Sequence, residues 1–331
     1  MEKYSRGPMS KVKQLCSVLA LCTLSAVSVA SLDAWSLAAN VPSNAGYTSV
    51  AYGNNNYVFV GESGLISTSS DFSSWTDQQS NTTHTLNGVV YGDNGSYVAV
   101  GNQGTVLTSG NGANWTAQAS GVTTALNSVA YGHKTFVAVG DMGVVLTSQD
   151  GVTWARQASN TPAALHAITF GNDQFVAVGN MGAVLTSADA ITWTAQASLM
   201  QDTLNGVSYG NGLYVAVGNM GALLTSPDAV TWTTGNSGTA MRLTSSVHGE
   251  GVYILVGEAG TLIGSYDGVN WLALPPEVPH TLNSVYFGNG YYIAVGDGGT
   301  ILTHRSGAPA NPPVDLPPAP PVPEPTPEPT I

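Results

Sequence analysis

LNGVSYGNGLYVAVGNMGALLTSPDAVTWTTGNSGTAMR, residues 204–242, holds four short runs of β-forming side chains with turn residues between them. Residues 204–209 suit a first strand. Gly210, Asn211 and Gly212 then supply the positive φ angles that a tight hairpin needs. Residues 214–217, aromatic and β-branched, suit a second strand. A turn at residues 218–221 leads to a third strand at 222–226, and the chain turns once more into a fourth strand around Trp232. Four short strands in about forty residues is the mark of one β-propeller blade. A helical solenoid would show longer runs with a period of 3.6, and there are none.

The same unit recurs along the chain. The seven tryptophans are Trp35, Trp75, Trp115, Trp154, Trp193, Trp232 and Trp271, spaced by 40, 40, 39, 39, 39 and 39 residues. Blades are expected at about 47–85, 86–125, 126–164, 165–203, 204–242, 243–281 and 282–307. The last of these stops after its third strand. Its missing fourth strand, with its tryptophan, stands at Trp35, Ser36 and Leu37, so the expected fold is an all-β, seven-bladed propeller closed by an N-terminal strand. Closure removes exposed sheet edges, and a monomer is expected.

The flanks differ from the repeats. Residues 1–30 read as an export signal: Lys3, Arg6, Lys11 and Lys13 precede an apolar run at 15–30 that is short for a membrane span. An uncut membrane anchor is the alternative. Both cysteines, Cys16 and Cys22, lie here, so the processed chain would carry no disulfide or thiol ligand. Residues 308–331 hold 11 of the 18 prolines and read as an extended spacer. The expected division is therefore a signal at 1–30, a propeller at 31–307 and a Pro-rich tail at 308–331. The location follows as extracytoplasmic. Processing would leave four basic side chains, Lys134, Arg156, Arg242 and Arg305, against nineteen acidic ones, a net charge of −15. Such a surface repels phosphate backbones and anionic membranes, which argues against nucleic acid and against membrane insertion of the mature domain. Cationic proteins and neutral sugars fit it better.

The turn between third and fourth strands carries Ser-x-Asp before the tryptophan. Asp71, Asp150, Asp189, Asp228 and Asp267 occupy it in five blades, with Asn111 in another. A carboxylate there can accept the turn's own N–H groups, and the tryptophan can fill space between blades. These residues are read as structural. The turn resembles the Asp-box, or BNR repeat, of sialidase-like propellers. The whole repeat, VGxxGxxxxSxDGxxW, is similar to the photosystem II stability and assembly factor family over about residues 35–305. That resemblance implies a non-enzymatic assembly or binding role. A sialidase would need three arginines on one carboxylate, but Arg156, Arg242 and Arg305 hold unrelated repeat positions and the first-blade arginine motif is missing.

Two polar rings remain as candidate sites. The turn between second and third strands carries Glu62, Asn102, Asp141, Asn180, Asn219, Glu258 and Asp297, blade by blade. The innermost strand begins with Thr48, Asn87, Asn127, His166, Asn205, Thr244 and Asn283. Both sets are expected on one face, opposite the Asp turns, around the channel mouth. They can cap strand ends and hold channel water, or bind a protein segment or sugar hydroxyls. A glycosidase acting through paired carboxylates at Glu62, Asp141, Glu258 or Asp297 is the enzymatic alternative. His84 and His280 lie in neighbouring loops. No metal-ligand spacing and no cofactor motif is present, so no metal or cofactor is expected.

Overall fold

The computed structural model describes residues 35–274 and 278–307. The signal expected at 1–30 and the tail at 308–331 lie outside these residues. Seven four-stranded antiparallel sheets form the seven blades. The fifth consists of Leu204–Gly210, Leu213–Gly218, Leu223–Ser226 and Thr233–Thr234, from the innermost strand outward. The seventh takes Leu282–Gly288, Tyr291–Gly296 and Ile301–Arg305 from one end of the propeller and Ser36–Leu37 from the other. Ser36 pairs with Thr303 and Leu37 with Leu302, so the N-terminal strand does close the ring.

Blades pack on one another through their middle strands, whose runs of Val, Ala, Ile, Leu and aromatics are buried on both faces. Trp193 shows how the tryptophans join this core. It packs against Val137, Val139 and Val145 of the preceding blade and against Leu165, Ile168 and Phe175 of its own. Trp232 and Trp115 repeat the arrangement against the blades before them. Trp75, Trp154 and Trp271 do the same while half-buried. Trp35 lies against Tyr292 and His304.

A second inter-blade device is absent from the repeat reading. The innermost strand of each blade ends on an aromatic ring, Tyr52, Tyr91, Tyr131, Phe170, Tyr209, His248 or Phe287. Each stacks on an aromatic of the next strand, at centroid separations from 4.5 to 4.7 Å. Five of these rings, Tyr91, Phe170, Tyr209, His248 and Phe287, lie over a glycine of the preceding blade: a Cβ on Gly132 would fall 2.2 Å from Phe170 Cγ, so only glycine fits. Second-strand tyrosine hydroxyls then donate to that blade's glycine carbonyl, as Tyr214 does to Gly171 at 2.6 Å and Tyr57 does to Gly288 at 3.2 Å. Burial pushes the Tyr57 and Tyr253 phenols up to about 12, which keeps them donors.

The Ser-x-Asp turn is satisfied internally. Asp189 Oδ1 accepts from the backbone of Ile191 at 2.8 Å and Thr192 at 2.7 Å, and from Ser187 Oγ at 3.0 Å. The backbone donors lower the Asp189 carboxyl to about 2, and the same holds for Asp71, Asp228 and Asp267. Asn111 performs the same task without a charge, accepting from Ala113 at 3.0 Å and Asn114 at 2.9 Å. Asp189→Asn should therefore fold normally and lose a modest increment of stability at neutral pH. Because the folded carboxyl titrates below the unfolded one, the wild-type advantage is complete above about pH 4. It disappears as the pH falls through about 2. Thermal melting of both proteins across that window checks this; an advantage for wild type that persisted unchanged at pH 2 would contradict it.

Candidate functional site

The two polar rings lie on one face, and backbone hydrogen bonds fix them there. In the fourth blade Asn180 N donates to Ala164 O, and in the fifth Asn219 N donates to Thr203 O. Each second-to-third strand turn is thus tied to the segment leading into its own blade. Gly182 closes the contact on the other side, since a Cβ there would lie 2.2 Å from the Met200 carbonyl. The opposite face carries the Asp turns together with the first-to-second strand turns, as when Gln174 Nε2 reaches Asp228 O at 3.1 Å.

A β-bulge aims the inner ring. In every blade the register of the innermost strand shifts between its first and third residues. The unpaired residue between them is Thr48, Asn87, Asn127, His166, Asn205, Thr244 or Asn283. A bulge redirects the side chain it carries. Asn205 Nδ2 donates both to Asn219 Oδ1 of its own blade at 3.0 Å and to Leu243 O of the next at 2.9 Å. Asn87 and Asn127 repeat the pair of bonds, to Asn102 and Leu126 and to Asp141 and Leu165. Asn283 bonds Asp297 at 2.8 Å and Tyr47 O at 3.0 Å, carrying the belt across the seam between the last and first blades. His166 Nε2 bonds Asn180 Oδ1 at 2.7 Å.

Blades one and six depart from this pattern. Thr48 and Thr244 donate to the next blade's carbonyl but are too short to reach their own turns. Glu62 and Glu258 find other donors: Gly46 N at 3.0 Å for the first and Arg242 Nε at 2.9 Å for the second. Glu62, Asp141, Glu258 and Asp297 are therefore all engaged as acceptors, and four blades present carboxylates where three present amides.

The inner ring lines a polar channel of about 210 Å³, together with Ser49, Ser128, Ser245 and Ser284; the outer ring does not. A broader open groove of about 720 Å³ lies beside Glu62, walled by Ser43, Asp77, Ser80 and Thr82. The ring reading did not reach this groove, although Asn81, in its wall, begins an Asn-Thr-Thr run. His84 and His280 are held by turn threonines. Thr105 Oγ1 donates to Asn102 O at 2.7 Å, so it accepts from His84 Nδ1 at 2.9 Å, and the Nδ1 proton is thereby assigned. Thr300 fixes His280 in the same way. Arg156 sits on an outermost strand, Arg305 at the far end of a third strand, and Arg242 on the ring face, so the three arginines do not converge. Among the described residues no three His, Cys, Asp or Glu side chains are grouped to hold a metal ion. None of their helices is long and apolar enough to cross a membrane.

No family model matches the chain, and no curated protein matches it. Solved structures do. A structure of YCF48 bound to D1 peptide superposes with a TM-score of 0.69 at 15% identity, over 82% of this chain and 97% of that one. YCF48 from Cyanidioschyzon merolae gives 0.67 at 16%, over 82% and 98%. A catalytically inactive virginiamycin B lyase from Staphylococcus aureus, with quinupristin, gives 0.72 at 10%, over 82% and 98%. At such identities the likeness is one of fold, and it bears out, at that level, the resemblance to assembly-factor propellers: the chain is similar throughout its described part to seven-bladed propellers that include YCF48.

Proposed function

We propose that this chain is an exported, non-catalytic propeller that binds a segment of another protein on the face formed by the second-to-third strand turns. The observation that carries the reading is how the polar groups of that face are used. The inner-ring asparagines and threonines are committed to neighbouring blades, while Glu62, Asp141, Glu258 and Asp297 add negative charge to the rim. That excess of negative charge is complementary to a basic protein segment and has no counterpart in a neutral sugar. A propeller of the same fold is known bound to a peptide, which supports the reading by analogy. Location outside the cytoplasm rests on the signal expected at 1–30.

The test replaces the four carboxylates by their amides, Glu62→Gln, Asp141→Asn, Glu258→Gln and Asp297→Asn. Blades two, four and five already carry Asn102, Asn180 and Asn219 at this position, so the fold tolerates amides there. Wild type and variant are used as bait in native extracytoplasmic extract, with retained proteins and released glycans both analysed. A protein partner held by wild type and lost from the variant is the expected result. A partner held equally by both would place the function elsewhere. Glycans shortened by wild type alone would establish the glycosidase alternative.

A further inference from the structure

The residue after each ring acidic or amide group carries a second signal. In blades three, four and five it is Met142, Met181 and Met220, whose exposures are 64%, 66% and 69%. Their backbones are left-handed, with φ of 55°, 55° and 52°. That conformation is unfavourable for a long L side chain and favours glycine or asparagine. The other blades place Ser63, Gln103, Ala259 and Gly298 at the same point, so the turn itself does not call for methionine. Leu199, 84% exposed, and Met241, 47% exposed, belong to the inter-blade segments of the same face. Five large apolar side chains thus stand in solvent along one arc, and methionine is the apolar side chain that best adapts to varied partners.

The charge around this arc names the occupant. Asp141, Asp202 and Glu258 lie on the same turns and segments, and Arg242 is already tied to Glu258 at 2.9 Å. The chain's own Pro-rich stretch does not fit: residues 308–331 contain no Lys or Arg, and the chain departs beside Gly290, on the opposite face. We infer that the arc formed by Met142, Met181, Met220, Leu199 and Met241 is the docking surface for a cationic amphipathic protein segment, one that alternates Lys or Arg with Leu, Ile or Phe. Its apolar side chains cover the methionines and its cations face the carboxylates. This rests on the proposed binding function and narrows the contact on that face to the rim of blades three to six.

Methyl-labelled methionine NMR on the full chain tests it. The probes are a short peptide of alternating leucine and lysine, its leucine–glutamate counterpart, and zwitterionic phosphatidylcholine vesicles. The variant is Met142→Gln with Met181→Gln and Met220→Gln, whose fold is safeguarded by Gln103 in the same left-handed turn and checked by thermal melting. The leucine–lysine peptide should shift the methyls of Met142, Met181, Met220 and Met241, and its affinity should fall about tenfold or more in the variant. A peptide that shifts none of these methyls, a variant that binds it equally, or shifts produced only by vesicles would overturn the proposal. A native partner held equally by wild type and methionine variant, but lost from the carboxylate variant, would overturn the docking arc alone. No partner on any bait would remove the binding function with it.

Discussion

Deleting residues 31–40 should open the ring and make the protein prone to aggregate. The deletion strips the outermost strand from blade seven and leaves Ile301–Arg305 as a bare edge, its backbone groups free to pair with another copy. It also removes Trp35 from Tyr292 and His304, whose ring centroids lie 6.4 and 5.5 Å away. Trp75 loses the Ala39 carbonyl that its indole N–H bonds at 2.8 Å, so the damage reaches blade one as well. With one buried tryptophan and one strand gone, Tm should fall by roughly 10–20 °C. Light scattering after gel filtration, with a melting curve, reads both effects. A monomer melting at the wild-type temperature would show that blade seven is closed in some other way.

Trp193→Ala should be the most damaging single substitution among the tryptophans, costing roughly 3–5 kcal/mol. The side chain is 4% exposed, and its N–H is satisfied by Ala190 O at 3.1 Å. Burying 150–250 Å² at about 25 cal/mol/Å² bounds its contribution at about 4–6 kcal/mol. Because its neighbours are rigid strands of two blades, they cannot collapse into the space it leaves. Trp154→Ala, at a half-buried copy of the same position, should cost visibly less. Denaturant unfolding at unchanged slope measures the difference; a loss below about 1 kcal/mol at Trp193 would contradict its place between blades.

The period of the tryptophans was enough to read blade number, blade boundaries and the closing strand, because each depends only on what repeats along the chain. The aromatic rings stacked over glycines were not legible in the same way. Tyr91 and Gly53 are both obvious strand-end residues in sequence, but nothing local says that one lies on the other across a blade interface. The ring residues were placed on the correct face, yet their partners were not seen. Asn205 is set by a bulge, and a bulge is a property of pairing register rather than of composition. Glu62 and Glu258 stand apart for a reason that sequence does contain, since Thr48 and Thr244 are too short to reach them. The exposed methionines escaped because Met220 reads only as part of a turn, and nothing local tells whether a turn side chain lies back on its blade or stands in solvent.

The seam that closes the ring has a mechanical meaning. Trp35 and Ser306, the first and last residues of the propeller, sit at the same end of the antiparallel pair formed by Ser36–Leu37 and Ile301–Arg305. Tension between them therefore loads Ser36 against Thr303 first, then Leu37 against Leu302, then the bond from Ala38 N to Ile301 O. Bonds loaded in succession peel apart at far lower force than bonds loaded together in shear. A pull on both ends would undo the circle along that one line while the six blades made of continuous chain stayed intact.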